Sequence, residues 1–343
     1  MNGPPARDGR PVFSVCVANY NGRDVIAPCL ASVFDQEFAG GVEVLVHDDA
    51  STDGSAHIVS RHFPGARLVT SEINVGFCES NNRLAELASG RLLLFLNNDA
   101  MLRPGALAAL YGAAEGHKPC VVGLAQYDAA TGDLLDRGSL LDPFLNSVPN
   151  LDPDRGFVGM VTGACLCIDK SLFDAVGGFP RWFGSLAEDL FVCLAARGAG
   201  RPVLVARESG FDHFVGSQLG GGKVVDGGLS TTYSRRARTE LNKCRTMALL
   251  WPRSLLLTVF GAHLALLAAE GAALSLVKKD VEPWRRIYGP CLASLWRERG
   301  LLARERKRLA AFRRHPPWHG HRVFTPVPHK LRMLLRHGPP KLD

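Results

Sequence analysis

The sequence predicts an α/β fold of three layers with a mainly parallel sheet, and three observations predict it. Apolar strands alternate with helical stretches from residue 11 onward, a polar loop follows each strand, and Leu92-Leu-Leu-Phe-Leu96 is apolar at five consecutive positions. An unbroken apolar run suits a strand covered on both faces, as parallel strands are. The alternation of strand and helix, with loops after the strands, is the pattern of a sheet with helices on its faces.

Taken in order, residues 1–10 are a polar lead-in containing Pro and Gly. Residues 11–18 predict a buried strand closed by Asn19-Tyr-Asn-Gly22, and a helix follows over 24–35. Residues 42–47 predict a second strand, ending in Asp48-Asp-Ala-Ser-Thr-Asp-Gly-Ser55, then a helix to 62 and a short strand over 66–70. Asn74-Val-Gly-Phe77 turns into a helix over 78–89, which leads into the Leu92 strand and Asn97-Asn-Asp99. Beyond a helix at 104–116 the pattern predicts strands at 120–124, 158–168 and 202–206, and helices at 169–176 and 188–197. Residues 120–156 otherwise form a region rich in Pro, Gly and Asp, and Gly163 allows a close backbone approach. The domain organisation expected is a sheet domain over 11–229 and a helical, basic region over 230–343.

The charge divides the same way. From Lys278 to Asp343 there are 17 Lys or Arg against 5 Asp or Glu, a net +12, which leaves the first 277 residues at −5 of the whole-chain +7. A basic tail points to an anionic surface, membrane or nucleic acid. It lacks interleaved aromatic platforms, which counts against nucleic acid. Residues 255–277 are nearly all apolar and long enough to span a bilayer, yet Glu270 is costly there, so a packed or interfacial helix is expected. Residues 296–314 form a basic amphipathic helix that suits either a solvated face or anionic headgroups. The nine cysteines are scattered and no Cys-x-x-Cys occurs, so neither a disulfide framework nor a zinc site is expected, and reduced thiols are. The first residues lack an apolar core, which predicts no secretory signal peptide.

The loops after the strands carry the chemistry. Asp48, Asp49 and Asp53 put three carboxylates within six residues at a strand end, where acidic groups serve ribose hydroxyls or base N–H groups; an Asp-rich turn is the alternative. Asp99 sits where a rigid strand can hold a carboxylate against a hard divalent cation, or where it merely caps the next helix. Glu188-Asp189 opens a helix, a placement favourable for any carboxylate and also suited to a general base. His213 is either a structural imidazole or a metal ligand. The run Arg235, Arg236, Arg238 suits phosphates or a solvated face.

Val17-Ala-Asn-Tyr-Asn-Gly22, Asp48–Ser55, Asn74-Val-Gly-Phe77 with Asn82, and Asn97-Asn-Asp99 match, in order, the motifs of the inverting GT-A glycosyltransferases of family 2. The chain resembles their bacterial rhamnosyltransferase-like branch over about residues 11–217. The resemblance implies a GT-A fold that binds a nucleoside-diphosphate sugar (dTDP-, UDP- or GDP-linked) through Asn19, Tyr20, Asp49, Asn74, Asn82 and Asn98. It implies Mg²⁺ or Mn²⁺ held by Asp99 and His213, the latter followed by Ser217, and Asp189 as catalytic base with Glu188 as partner. Asn97 stands at the first acidic position of the DxD-type motif, and Phe191 replaces the last carboxylate of a Glu-Asp-x-Asp pattern. No Gln-x-x-Arg-Trp follows the base, which implies addition of one sugar, rhamnose or another hexose. The implied acceptor is a glycan or lipid-linked hydroxyl in cell-envelope polysaccharide synthesis, reached from the cytoplasmic face of the membrane through residues 278–343, with no nucleic acid partner. A silent nucleotide-sugar-binding module and a nucleotidyltransferase are the alternatives; the latter needs a Gly-rich, Arg-containing first loop that Ala18–Gly22 does not supply.

Overall fold

In the computed structural model of the chain, residues 9–214, 221–225, 228–316, 319–320, 322–338 and 341–342 are described. In chain order the elements are β1 (Phe13–Asn19), α1 (Ile26–Phe34), β2 (Val42–Asp48), α2 (Ser55–His62), β3 (Ala66–Thr70), α3 (Phe77–Leu87), β4 (Leu92–Leu96), β5 (Ala100–Leu102), α4 (Ala106–His117), β6 (Val121–Asp128) and β7 (Leu134–Asp136). Then come β8 (Leu140–Leu141), β9 (Ser147–Val148), β10 (Cys165–Asp169), α5 (Lys170–Val176), α6 (Glu188–Gly198), β11 (Val203–His213), β12 (Gly221–Val225) and β13 (Gly228–Thr231). Helices α7 (Tyr233–Leu250), α8 (Arg253–Leu255), α9 (Gly261–Lys278), α10 (Gly289–Arg297), α11 (Arg299–Ala310) and α12 (His329–His337) follow, with β14 (Lys341–Leu342) last.

The chain divides into two compact units. The first comprises Met1–Ser139, Pro149–Ala196 and Arg201–Phe214; the second comprises Leu140–Val148, Arg197–Gly200 and Val215–Asp343. The first unit is built on one nine-stranded sheet of order β3-β2-β1-β4-β10-β6-β11-β5, with β7 on β6. Strands β3, β2, β1 and β4 are mutually parallel, and β10 runs against both of its neighbours. Side chains alternate across β4. Leu92, Leu94 and Leu96 enter the cluster filled by α1 and α4, while Phe95 meets Phe173 and Phe179 on the other face, each ring 4.9 Å away. All five residues are buried, so β4 is covered by helices on both sides and the unit has three layers. Each leucine so buried contributes about 1.5–3 kcal/mol.

Among the elements that differ from expectation, three bear on the site. Only Cys165–Asp169 of the predicted 158–168 strand joins the sheet, because the chain turns at Thr162–Cys165, where the Cys165 N–H donates to the Thr162 carbonyl at 3.2 Å. β5 is new. β11 continues to His213 instead of stopping at 206: its register shifts between Val205 and Gly210, with Ser209 at φ 64°, and it then pairs antiparallel with β5. The polar run Arg207-Glu208-Ser209 has the composition of a loop, and a bulge is what lets it stay in the sheet.

The second unit is helical. Its apolar core gathers Cys244, Leu267, Leu274, Ile287, Tyr288 and Cys291, and α9 lies so close to Tyr288 that a Cβ on Gly271 would stand 2.7 Å from the ring. A buried ionic network joins α7, α9 and α12. Glu240 pairs with Lys243 (3.0 Å) and Lys330 (2.6 Å), and Glu270 pairs with Lys330 (2.9 Å) and with Arg236. Arg236 is therefore neither on a solvated face nor free for phosphates. The segment 140–148 belongs with these helices through backbone bonds between Leu141 and both Val323 and Thr325. Leu302 and Leu309 of α11 are buried in this unit, so the apolar side of the 296–314 helix is already covered. All nine cysteines are buried.

Candidate active site

The site grows from the carboxyl ends of β1, β2 and β4. Asn19 closes β1, and its amide nitrogen donates to Asp48 Oδ2 at 2.9 Å and to Ser55 Oγ at 2.9 Å. Its Oδ1 accepts from Asn98 Nδ2 at 2.8 Å. Gly22 is required beside this pair, because a Cβ there would lie 2.3 Å from both Asn19 Oδ1 and Asn98 Nδ2. The Asp49 carboxylate accepts the backbone N–H groups of Val75 (2.7 Å) and Gly76 (2.8 Å), and Gly76 takes φ 87° to present its own. Asn82 exchanges two bonds with the Phe179 backbone, 2.8 and 3.0 Å. Of the six residues expected at the nucleotide, Tyr20 and Asn74 are exposed, whereas Asn19, Asp49, Asn82 and Asn98 are buried. Asn82 thus acts by holding the loop before Arg181 onto α3, and Asn19 with Asn98 acts by holding the loops at the sheet edge.

A second cluster forms where β5 pairs with β11. The register sets Ala100 opposite His213, which brings His213 Nε2 to 3.1 Å from Asp99 Oδ1. On its other side, His213 Nδ1 lies 3.0 Å from Gln126 Nε2. Asn97 Oδ1 is buried and has no hydrogen-bond partner among the described residues, a costly state for an amide oxygen unless something else meets it. A carboxylate oxygen, an imidazole nitrogen and an amide oxygen are donors that suit Mg²⁺ or Mn²⁺. Adjacent ligands about 3.0 Å apart are what an octahedral ion with bonds of about 2.1 Å requires. The residues present therefore fit a divalent cation. No group of three or more His, Cys, Asp or Glu among the described residues makes a metal site by itself, so these side chains could supply only part of a cation's coordination. Ser217 and most of the glycine run 220–228 lie outside the described residues or their described side chains.

The third part is the Glu188-Asp189 pair. Three of the four residues before it, Gly184, Leu186 and Ala187, have positive φ (71°, 71° and 64°). For Leu and Ala such conformations cost about 1–3 kcal/mol each. The turn is held from outside: the Cys78 N–H at the start of α3 donates to the Gly184 carbonyl at 3.0 Å. Gly163 N–H donates to Asp189 Oδ2 at 2.8 Å, and Leu190 N–H donates to Oδ1 at 2.7 Å. The pair also packs closely on this glycine: a Cβ at 163 would lie 3.4 Å from both Asp189 Cβ and Glu188 Oε1, in van der Waals contact. Burial, together with the charges of Glu188 and Asp189, pushes the nearby Cys78 thiol well above its ordinary range, so this thiol stays protonated and takes no part as a nucleophile.

Residues 14–177 match the model of glycosyl transferase family 2. Over these residues, just under half of its length, the chain is similar to that family. Among curated relatives, an uncharacterized protein of Mycobacterium tuberculosis (strain CDC 1551 / Oshkosh) is 39% identical over 104 residues, 29% of this chain and 32% of its own. The N-acetylglucosaminyl-diphospho-decaprenol L-rhamnosyltransferase of the same strain is 28% identical over 180 residues, covering 43% of this chain and 59% of that protein. The matched stretch thus spans from about a third to three-fifths of these relatives' lengths. A solved structure of GalNAc-T7 with UDP, GalNAc and Mn²⁺ superposes with a TM-score of 0.57 at 14% identity, covering 70% of this chain and 48% of that one. That likeness shows the fold, a GT-A-like α/β sandwich.

Within the matched residues, reasoning from sequence missed Gln126. The apolar run of β6 ends at Ala125, and nothing in Gln126-Tyr127 signals that the strand continues to Asp128. His213 was placed after the last core strand; it is the final residue of that strand.

Proposed function

We propose that the protein is a metal-dependent, inverting glycosyltransferase that moves a single sugar from a nucleoside-diphosphate sugar to a hydroxyl of a glycan or lipid-linked acceptor in cell-envelope polysaccharide synthesis. One observation carries the reading. The Ala164 carbonyl accepts the Asn97 N–H at 3.0 Å, and the preceding residue, Gly163, gives its N–H to Asp189. Two neighbouring residues thus tie the donor end of β4 to the carboxylate positioned to act as base.

Tyr20 and Asn74 lie exposed beside Asp49, which supports a nucleoside at that edge. Asp99 and His213, with Asn97 beside them, would hold Mg²⁺ or Mn²⁺, and the ion would offset the charge that grows on the leaving diphosphate. Asp189 takes the proton of the acceptor hydroxyl as its oxygen attacks the anomeric carbon from the side opposite the diphosphate. Its two backbone N–H donors hold the carboxylate still while Glu188 stands beside it. Similarity to the mycobacterial N-acetylglucosaminyl-diphospho-decaprenol L-rhamnosyltransferase supports rhamnose as the sugar and a lipid-linked diphosphate acceptor.

The second unit supports placement on an anionic membrane surface. Residues 253–278 form the one helical stretch among the described residues that is long and apolar enough to cross a bilayer. Its inner side carries Glu270, paired with Arg236 and Lys330, so spanning would break those pairs. Its outer side leaves Leu257, Leu266, Leu276 and Val277 exposed, followed by exposed Lys278, Lys279 and Trp284. Leu331, Leu334 and Leu335 of α12 are likewise exposed between arginines. An apolar face with flanking cations and tryptophan suits a helix lying in the plane of the headgroups.

The reading is tested by thermal shift with UDP, dTDP, GDP and CDP, each with and without Mn²⁺ or Mg²⁺. A metal-dependent rise with one nucleoside diphosphate is expected, and it should vanish in Asp99→Ala. If no nucleotide raised the melting temperature with either metal, a silent module would be the better description.

A further inference from the structure

His213 is held on two sides, and the side away from Asp99 decides what it can do. Its Nδ1 lies 3.0 Å from Gln126 Nε2 and its Nε2 lies 3.1 Å from Asp99 Oδ1. Gln126 reaches it from β6, where it stands opposite Phe211, two residues before His213 on β11. A neutral imidazole carries one N–H, so one nitrogen donates and the other accepts. With Gln126 Nε2 donating into Nδ1, the proton is on Nε2 and points at Asp99. In that state the nitrogen facing Asp99 has no lone pair to offer a cation, and the carboxylate is occupied by a hydrogen bond. With the Gln126 amide turned end for end, its Oε1 accepts from Nδ1–H, and the Nε2 lone pair faces the same space as the Asp99 carboxylate. The turn exchanges two atoms of nearly equal size about the last side-chain bond, so neither strand has to move.

We propose that Gln126 is a positioning residue that selects the tautomer of His213, and that the turn of its amide opens the Asp99–His213 pair to a divalent cation. The proposal rests on the reading of Asp99 and His213 as metal ligands. Glutamine suits this task because it is both donor and acceptor: it stabilises the closed pair without a cation and the open pair with one. A residue able only to accept would keep the proton on Nδ1, leaving Nε2 to a cation or to a second proton shared with Asp99. A residue unable to do either would leave the tautomer unset and the ring free to turn. Partners of a metal-bound imidazole's far nitrogen commonly change metal affinity about 10–100-fold when replaced.

The test uses the full chain and Mn²⁺ alone, with free Mn²⁺ followed by electron paramagnetic resonance. Gln126→Glu should bind Mn²⁺ about tenfold more tightly than the unsubstituted chain, and Gln126→Met about tenfold more weakly. Because an added carboxylate attracts any cation, ¹⁵N chemical shifts of His213 in the metal-free proteins supply a second readout: Nε2–H in the unsubstituted chain and Nδ1–H in Gln126→Glu. Unchanged tautomers and unchanged affinities in both variants, with binding still lost in Asp99→Ala, would overturn the role of Gln126 while leaving the metal reading intact. Equal Mn²⁺ affinity in Asp99→Ala and the unsubstituted chain would remove both. A melting temperature near that of the unsubstituted chain separates these outcomes from misfolding.

Discussion

Asp189 takes the backbone N–H of Gly163 at 2.8 Å, across 26 residues of chain. The contact needs a turn before β10 and a helix that begins at Glu188, so two local features converge on one carboxylate. Asp189→Asn keeps an oxygen for that N–H and nearly the same volume, but loses the ability to take a proton. Donor binding, measured calorimetrically, should remain, and transfer should fall about 10²–10⁴-fold. Transfer at the original rate would mean that another group is the base.

Gly22 lies against the hydrogen-bonded amides of Asn19 and Asn98. In Gly22→Ala the new carbon would need the space that both amides fill, at 2.3 Å from each. The expected loss of stability is about 1–3 kcal/mol, measured by urea unfolding, together with weaker nucleotide binding because the loops after β1 and β4 part. An unchanged unfolding midpoint would show that the two amides are not locked together.

Stability should fall on the acid side. Burial holds the His263 imidazole down at about 4 from an ordinary 6.5, and Lys243 acts in the same direction. Burial also lowers His47 and His329. A histidine whose folded value lies below its unfolded one binds more protons when unfolded, so its contribution is complete above about pH 6.5 and is lost as the pH falls toward 4. For His263 the contribution is about 3 kcal/mol at most. Burial raises the Glu240 carboxyl, but Lys243, Lys330 and Arg236 outweigh it and leave it well below the usual carboxylate range; Glu270 is lowered on balance by Lys330 and Arg236. Their contributions are present above the unfolded value near 4.5 and disappear below it. The melting temperature should therefore be level between about pH 7 and 8 and decline from about 6.5 downward, with a shallower decline in His263→Leu. The same slope in that variant would acquit His263.

Liposome sedimentation checks the surface of the second unit. Vesicles containing anionic lipid should retain the protein at low salt and release it as ionic strength rises, and neutral vesicles should retain less. Leu276 and Leu335 are each 80% exposed, so Leu276→Glu with Leu335→Glu should cost little stability and lower retention severalfold. Retention unaffected by lipid charge, salt and both substitutions would remove the membrane from the proposal.

Much of the first half of the fold was legible because its signals are local. Strands β1 to β4 are short apolar runs, each closed by polar residues, and the helices between them carry their own periodicity. The Asp49 and Asp99 positions follow directly, since a strand end in a parallel sheet is a fixed place. The roles of Asn19, Asn82 and Asn98 were less legible. Sequence shows an amide but not whether a ligand or the Phe179 backbone consumes it, and here the protein takes these amides for itself.

By itself the sequence determined the fold class, the parallel run of strands, the carboxylates at their ends and the basic character of the last third. Only the tertiary structure decided that His213 meets Asp99 across 114 residues, that Gln126 meets His213 across 87, and that Glu270 has cationic partners. The physical reason is register. A bulge after Val205 advances β11 and sets His213 opposite Ala100, and a one-residue slip there would point the imidazole to the other face of the sheet. Patterning of apolar residues selects the elements, and the pairing of distant strands and helices selects which side chains share a site.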